Sequence, residues 1–493
     1  MWVVQAILLS LLACLLVHLR KSFQSQKLYP PGPLWVPFIG SVWRLRFKVS
    51  KDSFIELAKI YGNIYTLWIG SKPVVVLSGF QAVKEGLINH AEHFAERCET
   101  PYIKAFTNGK GIIYSNGHNW KQQRKFGVVT LRKLGLGKKG MEQQIEEEAL
   151  QLAETFAHSK GQPIDPALFI RNSVANVICA AVFGFRFSVE DQDFLQMLEA
   201  IQFVLTFSAS FVYVLYELFP RLMDLLPGPH KKSFLYREAV LSFAKKVIEK
   251  HREHQALHDP QDYIDFYLLQ MEKSVKDPNS TYNEENLAQC ILELLMAGSD
   301  TTSTTLQWAL LLMVNHPDIQ EKVHKEIEDV LGSSQSFSYQ HVKKLPYTNA
   351  VIHEIQRTQY ILLFGVSRQC AKDVNMFGYF IPKGTYIVPD LHSVLQDPEL
   401  WEASEVFNPN RFLDKDGKFM KREAFLPFGT GSRSCLGQQL AEIELFIFFT
   451  SLMRAFKFQL PEGVKELSKK PIIGVTTPPS PYELCAVPRC SAS

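Results

Sequence analysis

The sequence predicts a mainly α-helical fold with small β-sheets, carried on a single-pass N-terminal membrane anchor. Three observations predict it. Residues Trp2 to Leu19 form an apolar run of 18 with no acidic or strongly basic residue, just long enough to span a bilayer as a helix. Runs of β-branched and aromatic residues at Ile64–Ile69 and Pro73–Leu77, parted by Gly70-Ser71, read as a hairpin. Beyond residue 90 helical patterns dominate, the longest an apolar stretch from Ile291 to about Asn315.

Composition supports a large core. The 493 residues are 46% hydrophobic and 21% charged, with 35 Phe, as in an ordinary globular protein rich in aromatic packing. Length alone would allow about three average domains, but no internal repeat is visible. A net charge of +3 without any Lys/Arg tract argues against a nucleic-acid partner. The eight cysteines (14, 98, 179, 290, 370, 435, 485, 490) show no C-x-x-C spacing. That pattern opposes a disulfide framework or zinc ribbon and fits a reducing compartment.

At the N-terminus, no basic n-region precedes the apolar run and no A-x-A-like site ends it, which argues against a removable signal peptide. Arg20, Lys21 and Lys27 follow at once and predict that the rest of the chain faces the cytosol. The expected boundaries are an anchor over 1–20, a basic, proline-rich linker and hinge over 21–45, and one folded domain over 46–493. Tyr29-Pro30-Pro31-Gly32-Pro33 stiffens the linker, because three prolines in four residues cannot continue a helix.

A helix over Phe54–Tyr61 precedes the hairpin. After the turn at Asn116-Gly117 another helix carries Trp120 and Arg124, which at i and i+4 share a face and offer an indole N–H and a guanidinium to one carboxylate. Lys121, Lys125, Arg132, Lys133, Lys138 and Lys139 make the same region basic. They form either a solvated face or a dock for an acidic partner. The Phe/Leu-rich segment 190–225, with Phe194, Phe203, Phe207 and Phe211, fits core or pocket roof equally. Asn279-Ser280-Thr281 is a formal glycosylation sequon that a cytosolic domain leaves unmodified.

The long apolar helix holds a polar insert, Ala297-Gly298-Ser299-Asp300-Thr301-Thr302. Its hydroxyls can bond back to i−4 carbonyls and bend the helix, and a local widening there leaves room for a ligand or water. An acid beside an alcohol suits proton delivery. Further on, Glu354 and Arg357 at i and i+3 can form an ion pair. An apolar segment, Leu362-Leu363-Phe364-Gly365-Val366, leads through Ser367 to Arg368. Tyr379 to Pro389 reads as a hairpin.

The most informative stretch is Phe428-Gly429-Thr430-Gly431-Ser432-Arg433-Ser434-Cys435-Leu436-Gly437, with an apolar helical pattern directly after it. Glycines let the backbone turn tightly and approach a flat ligand. A thiolate is a strong donor to iron, and backbone N–H groups at a helix start hold its charge. Five such fixed positions coincide by chance on the order of once in 10,000 chains of this length.

This stretch resembles the haem-binding loop of the cytochrome P450 family, Phe-x-x-Gly-x-Arg-x-Cys-x-Gly, at every fixed position. The other motifs occur in the family's order, and the anchor and hinge resemble the vertebrate microsomal family-two monooxygenases. Within these the chain resembles the branch that oxidises polyunsaturated fatty acids and xenobiotics. The resemblance implies the family's triangular, mostly helical cytochrome P450 fold and a haem b cofactor whose iron takes Cys435 as its axial thiolate. Phe428 shields that sulfur and Gly437 belongs to the same loop. Arg433, Trp120, Arg124 and Arg368 hold haem propionates, while Glu354, Arg357 and Arg411 buttress the haem-binding core. Thr301 donates a hydrogen bond to the oxygen being activated, and Asp300 relays protons from solvent.

Ile112, Ile113, Tyr114, Phe207, Ala297, Leu362, Leu363, Phe364 and Thr477 line the substrate pocket, the last on the loop Val475-Thr476-Thr477. The implied reaction inserts one atom of O₂ into apolar substrates (hydroxylation or epoxidation of fatty acids such as arachidonate, xenobiotics or steroids). Electrons come from NADPH through a membrane-bound reductase, with cytochrome b5 as a second donor, at the endoplasmic reticulum membrane. Asn410 and Ser367 stand where many relatives carry glutamate and proline. Three rivals remain: a haem-thiolate peroxide isomerase, which the Asp300-Thr301 pair opposes; a non-catalytic haem sensor; and a membrane-anchored binding protein without haem.

Overall fold

The computed structural model describes residues 28–45, 50–134, 139–254, 260–332 and 338–489, together with Trp2 and Gln5. Apart from those two residues, the expected anchor lies outside the described residues. Among them no single helix is long and apolar enough to cross a membrane; Gln192–Phe207 and Phe211–Leu218 reach that length only together and are bent by 68°.

A 32-residue central helix, Glu284–Asn315, organises the core. Its start is set locally. The Asn283 side chain accepts from the Asn286 N–H, and Glu284 and Glu285 occupy the first turn, where carboxylates complement the helix dipole. Pro317 opens the next helix directly after His316, a residue that cannot continue the ladder. The central helix packs against Ala167–Phe183 and Gln438–Ala455 and is buried at most positions. The main apolar core forms around it.

The strands are β1 (Ile64–Ile69), β2 (Lys72–Ser78), β3 (Pro163–Ile164), β4 (Arg368–Gln369), β5 (Val374–Met376), β6 (Tyr379–Ile381), β7 (Tyr386–Asp390), β8 (Phe456–Gln459) and β9 (Leu484–Pro488). They make sheets of order β1-β2-β7-β4, β3-β9-β8 and β5-β6. The predicted hairpin is present, with Ile64 opposite Leu77. Its second strand also pairs in parallel with β7, Val74 beside Tyr386. The helix expected over Phe54–Tyr61 starts three residues earlier, at Lys51, because Ser50 caps it by accepting from the Ser53 N–H.

Two expectations need correction. Tyr379 to Pro389 is not a hairpin. β6 turns back onto β5 through Phe377 and Gly378, both at positive φ, whereas β7 joins the large sheet. The turn signal lay upstream, at Phe377-Gly378. Nor does the linker end at residue 45. The Thr66 N–H donates to the Pro31 carbonyl (2.9 Å) and Trp35 Nε1 to the Gly70 carbonyl (2.9 Å), and Trp35, Val42 and Leu45 are buried. A Cβ on Gly32 would stand 1.9 Å from the Thr66 carbonyl oxygen, so this segment lies tight against β1.

Candidate active site

The cysteine loop is closed by its own backbone. The Cys435 N–H donates to the Phe428 carbonyl (2.9 Å) and the Ser434 N–H to Gly431 (3.1 Å). Gly429 and Gly431 take φ of 70° and 75°, a region that side chains disfavour. A Cβ on Gly431 would stand 2.1 Å from the Leu87 carbonyl oxygen. Gly437 caps the Gln438–Ala455 helix, and its N–H faces the sulfur. Burial raises the Cys435 thiol above its usual range; the Gly437 N–H and the Arg124 charge pull the other way. Cys435 is the one exposed thiol among the described cysteines. An atom that is surrounded yet accessible faces an internal space.

The central helix is also open at one place. Ala297 is exposed and Thr301 half-exposed in the middle of an otherwise buried element. The helix is continuous rather than widened, and the predicted back-bonding occurs: Thr301 Oγ1 donates to the Ala297 carbonyl (2.7 Å) and Ser299 Oγ to Leu295 (2.6 Å). Asp300 is buried and accepts a hydrogen bond from Thr476 Oγ1. Its carboxyl is raised by burial, against the pull of Thr476 and Arg171. Among the described residues no hydrogen bond joins it to Thr301.

Four guanidinium groups gather beside the loop. Arg433, buried, donates to the Ala95 carbonyl (2.7 Å), the Ser115 carbonyl (2.8 Å) and Asn116 Oδ1 (3.1 Å). Arg124 Nη2 donates to the Ser434 carbonyl (2.8 Å). Arg368 reaches the Arg433 carbonyl at 3.4 Å. The fourth, Arg97, belongs to no motif and escaped the sequence reading. It binds the carbonyls of Ile113 (3.0 Å), Val366 (2.8 Å) and Ser367 (3.0 Å). Burial first, then Arg97 and Arg124, hold Arg433 down to about 8, and burial holds Arg97 down to about 10. Burial and the neighbouring guanidinium groups both work against the charge at this cluster.

Among the described residues two donors here have no hydrogen-bond partner: Trp120 Nε1 and Arg368 Nη1 are buried and unbonded. Buried donors are seldom left so. A flat group bearing carboxylates, with a metal for the thiol, fits this set. Arg433 spends its strongest donors on the Ala95 and Ser115 carbonyls and on Asn116 Oδ1, while Trp120 and Arg368 keep open donors.

The loop Gly111–Tyr114 is clamped between these parts. The N–H groups of Ile112 and Ile113 donate to Glu293 Oε2 (2.6 and 2.7 Å). Burial raises that carboxyl to about 7, against those two donors. Glu293 is a second residue that no motif revealed. The buttress forms as a triad. Arg357 Nε and Nη2 meet Glu354 at 2.7 and 2.8 Å, with both side chains fully buried, and Arg411 Nε stands 3.4 Å from Glu354 Oε1. Asn408 adds a backbone N–H at 2.9 Å.

An apolar cavity of about 530 Å³ adjoins this region, lined among others by Tyr114, Leu362, Leu363 and Phe364. Its wall continues through Val366 and Ser367, whose carbonyls Arg97 holds. The other expected wall residues lie elsewhere. Ile112 turns toward Gly127 and Leu436, and Phe207 joins an aromatic cluster with Tyr102 and Tyr213. Thr477 Oγ1 binds the Ile361 carbonyl (3.0 Å). Ile113 and Ala297 are not on this wall, although Ala297 is open on the central helix. Gly474 and Val475 line it instead of Thr477.

Fold and site together define a mainly helical protein built to present a cysteine sulfur, donors for anionic groups and an apolar chamber. The chain belongs to the cytochrome P450 family: the family model "Cytochrome P450" matches residues 30–486. It is 43% identical over 463 residues to cytochrome P450 2J2 of Homo sapiens, covering 94% of this chain and 92% of that one. It is 41% identical over 474 residues to cytochrome P450 2J5 of Mus musculus (96% and 94%), and 39% over 488 to cytochrome P450 2A13 of Homo sapiens (98% and 99%). The chain is thus a haem-thiolate monooxygenase that uses haem b and takes electrons from NADPH through a reductase.

Proposed function

We propose that this monooxygenase hydroxylates or epoxidises long apolar molecules, such as polyunsaturated fatty acids, steroids and xenobiotics, held in the chamber of Tyr114, Leu362, Leu363 and Phe364. The observation that carries the reading is one accessible thiol, Cys435, beside two orphaned buried donors, Trp120 Nε1 and Arg368 Nη1. Cys435 supplies the sulfur, whose charge the Gly437 N–H and Arg124 stabilise. Trp120 and Arg368 bind the carboxylates of the haem, with Arg97, Arg124 and Arg433 as surrounding charge. When bound, haem iron activates dioxygen, and thiolate ligation favours O–O cleavage.

The chain's own groups do the rest. The chamber walls bind by burial of apolar surface and exclude water. Thr301 presents a hydroxyl to the space beside Ala297, and Asp300 holds the proton that replenishes it. Phe428 covers the sulfur side, and Glu354, Arg357 and Arg411 keep the cysteine loop in place.

Lys121 and Lys125 rim a shallow hollow with Trp120, Arg124 and Ser432, and with Arg132 and Lys133 they are exposed. This basic face receives the reductase and cytochrome b5, as charge complementarity favours. Residues 1–20 anchor the chain in the endoplasmic reticulum membrane with the domain cytosolic. The charge step at Arg20, Lys21 and Lys27 supports that orientation.

The test is the absorption spectrum of the reduced, CO-bound protein, wild type against Cys435→Ser. The expected result is the red-shifted Soret band of thiolate-ligated haem, lost in the variant. A histidine-type band in folded wild type would overturn the assignment, and turnover independent of NADPH would point to a peroxide isomerase.

A further inference from the structure

The loop Gly474–Thr477 stands between the apolar chamber and the central helix. Gly474 and Val475 face the chamber. Val475 is held from both sides: its N–H donates to the Leu205 carbonyl (3.3 Å), and its carbonyl accepts from the Leu363 N–H (3.2 Å). Thr476 bridges to Leu362, itself a wall residue. The Thr477 N–H donates to the Ile361 carbonyl (2.7 Å), while Trp308 Nε1 donates to the Thr477 carbonyl (2.9 Å). The loop has no slack, since a Cβ on Gly474 would meet the Thr476 carbonyl oxygen at 2.7 Å.

The Thr476 side chain turns to the helix. Its Oγ1 donates to Asp300 Oδ2, and both residues are buried. Among the described residues this is the one hydrogen bond the Asp300 carboxylate accepts. The charged groups nearby leave it that role. Arg171, from Ala167–Phe183, acts on Asp300 through space. Glu444, from Gln438–Ala455, engages Thr302 instead, and Glu293 is committed to Ile112 and Ile113.

We propose that Thr476 is a positioning residue for proton delivery, holding the Asp300 carboxylate from the very loop that walls the substrate chamber, so that a molecule filling the chamber changes how Asp300 is held. The inference rests on the reading above, that Asp300 replenishes the Thr301 proton. A hydroxyl donor favours the ionised carboxylate and fixes its direction. A side chain that must alternate between holding and releasing a proton is sensitive to both. Pressure on Gly474 or Val475 has few outlets, because the neighbouring backbone bonds run to Leu205, Ile361 and Leu363. Thr476 therefore moves with the wall.

The experiment uses the full chain with haem and a reductase, as T476V, T476S, D300N and T301A. Two quantities are read: product formed per NADPH consumed, with peroxide released, and the infrared carboxyl band of Asp300 (assigned by its loss in D300N) titrated without turnover. T476V is expected to lower coupling severalfold and to move the band's titration to higher pH, and T476S to restore both. Saturating the wild type with an apolar ligand should shift the same band. Should T476V lose haem, T476A carries the comparison, since it only removes atoms. T476V indistinguishable from wild type in both readouts, with D300N uncoupled, would overturn the proposal alone. Unchanged coupling in D300N and T301A would overturn the proton-delivery reading and the proposal with it.

Discussion

The guanidinium carbon of Arg433 lies 3.7 Å from the centre of the Trp120 ring. This stack joins the cysteine loop to the Gly117–Lys133 helix, two motifs on opposite halves of the chain. Around its edge the guanidinium donates to the Ala95 and Ser115 carbonyls and to Asn116 Oδ1. Its plane and its rim are both used.

Lysine in its place keeps the charge but has neither the fork nor the flat face. Arg433→Lys is expected to cost about 2–3 kcal/mol of stability, from a lost cation–π contact and buried carbonyls left unpaired. Thermal denaturation and the haem-to-protein ratio measure it; a variant with wild-type values of both would show the stack to be incidental.

The buttress makes a stronger prediction. Glu354 and Arg357 are fully buried, so removing one leaves an uncompensated buried charge. Arg357→Ala should lose about 3–5 kcal/mol and fail to retain haem in expression trials. The double variant Glu354→Ala/Arg357→Ala should fall short of the sum of the single losses, because the two residues share one interaction.

Two glycines of the cysteine loop should respond differently. Gly431→Ala forces a Cβ to 2.1 Å from a main-chain oxygen at a φ of 75°, and should prevent a native loop. Gly437 has nothing within 4 Å of its Cβ position and negative φ. Gly437→Ala should fold and keep the CO-bound spectrum, losing about 1 kcal/mol as a poorer cap. Equal damage in both would mean that Gly437 is required for close approach of the cofactor.

The pH dependence follows from Glu293. Burial raises its folded pKa from 4.5 to about 7, so the folded state binds its proton more tightly than the unfolded chain. That contribution to stability is full below 4.5 and is lost as pH rises through about 7. Glu293→Gln keeps an oxygen for the Ile112 and Ile113 N–H groups but cannot titrate. The difference in unfolding free energy between the two proteins should therefore change between pH 4.5 and 7 and level off on either side. Parallel stability curves across that range would contradict the assignment.

Much of the site was legible because it rests on local backbone chemistry. The cysteine loop needs glycines at positive φ and a helix start within a few residues, and both are written in adjacent letters. The Glu354–Arg357 pair and the Thr301 back-bond obey helix spacing. Arg97, Glu293 and Thr476 were missed for a common reason. Each acts across the chain, on Ser367, Ile112 and Asp300 respectively, and no periodicity marks a contact between segments that far apart. The lining of the 530 Å³ cavity was legible only in part. Phe207 and Thr477 had the right type and neighbourhood, but the aromatic cluster and the Ile361 carbonyl claimed their side chains.

By itself the sequence determined the helical class, the hairpin at 64–77, the glycine-bounded cysteine loop and the order of the motifs along the chain. These depend on propensity, glycine conformation and fixed short spacing, which act within a few residues. Only the tertiary structure decided which arginines keep free donors, which residues face the chamber and that Asp300 hangs from Thr476. Those outcomes come from competition among distant groups for a limited set of buried partners, and that competition is resolved only when the segments pack.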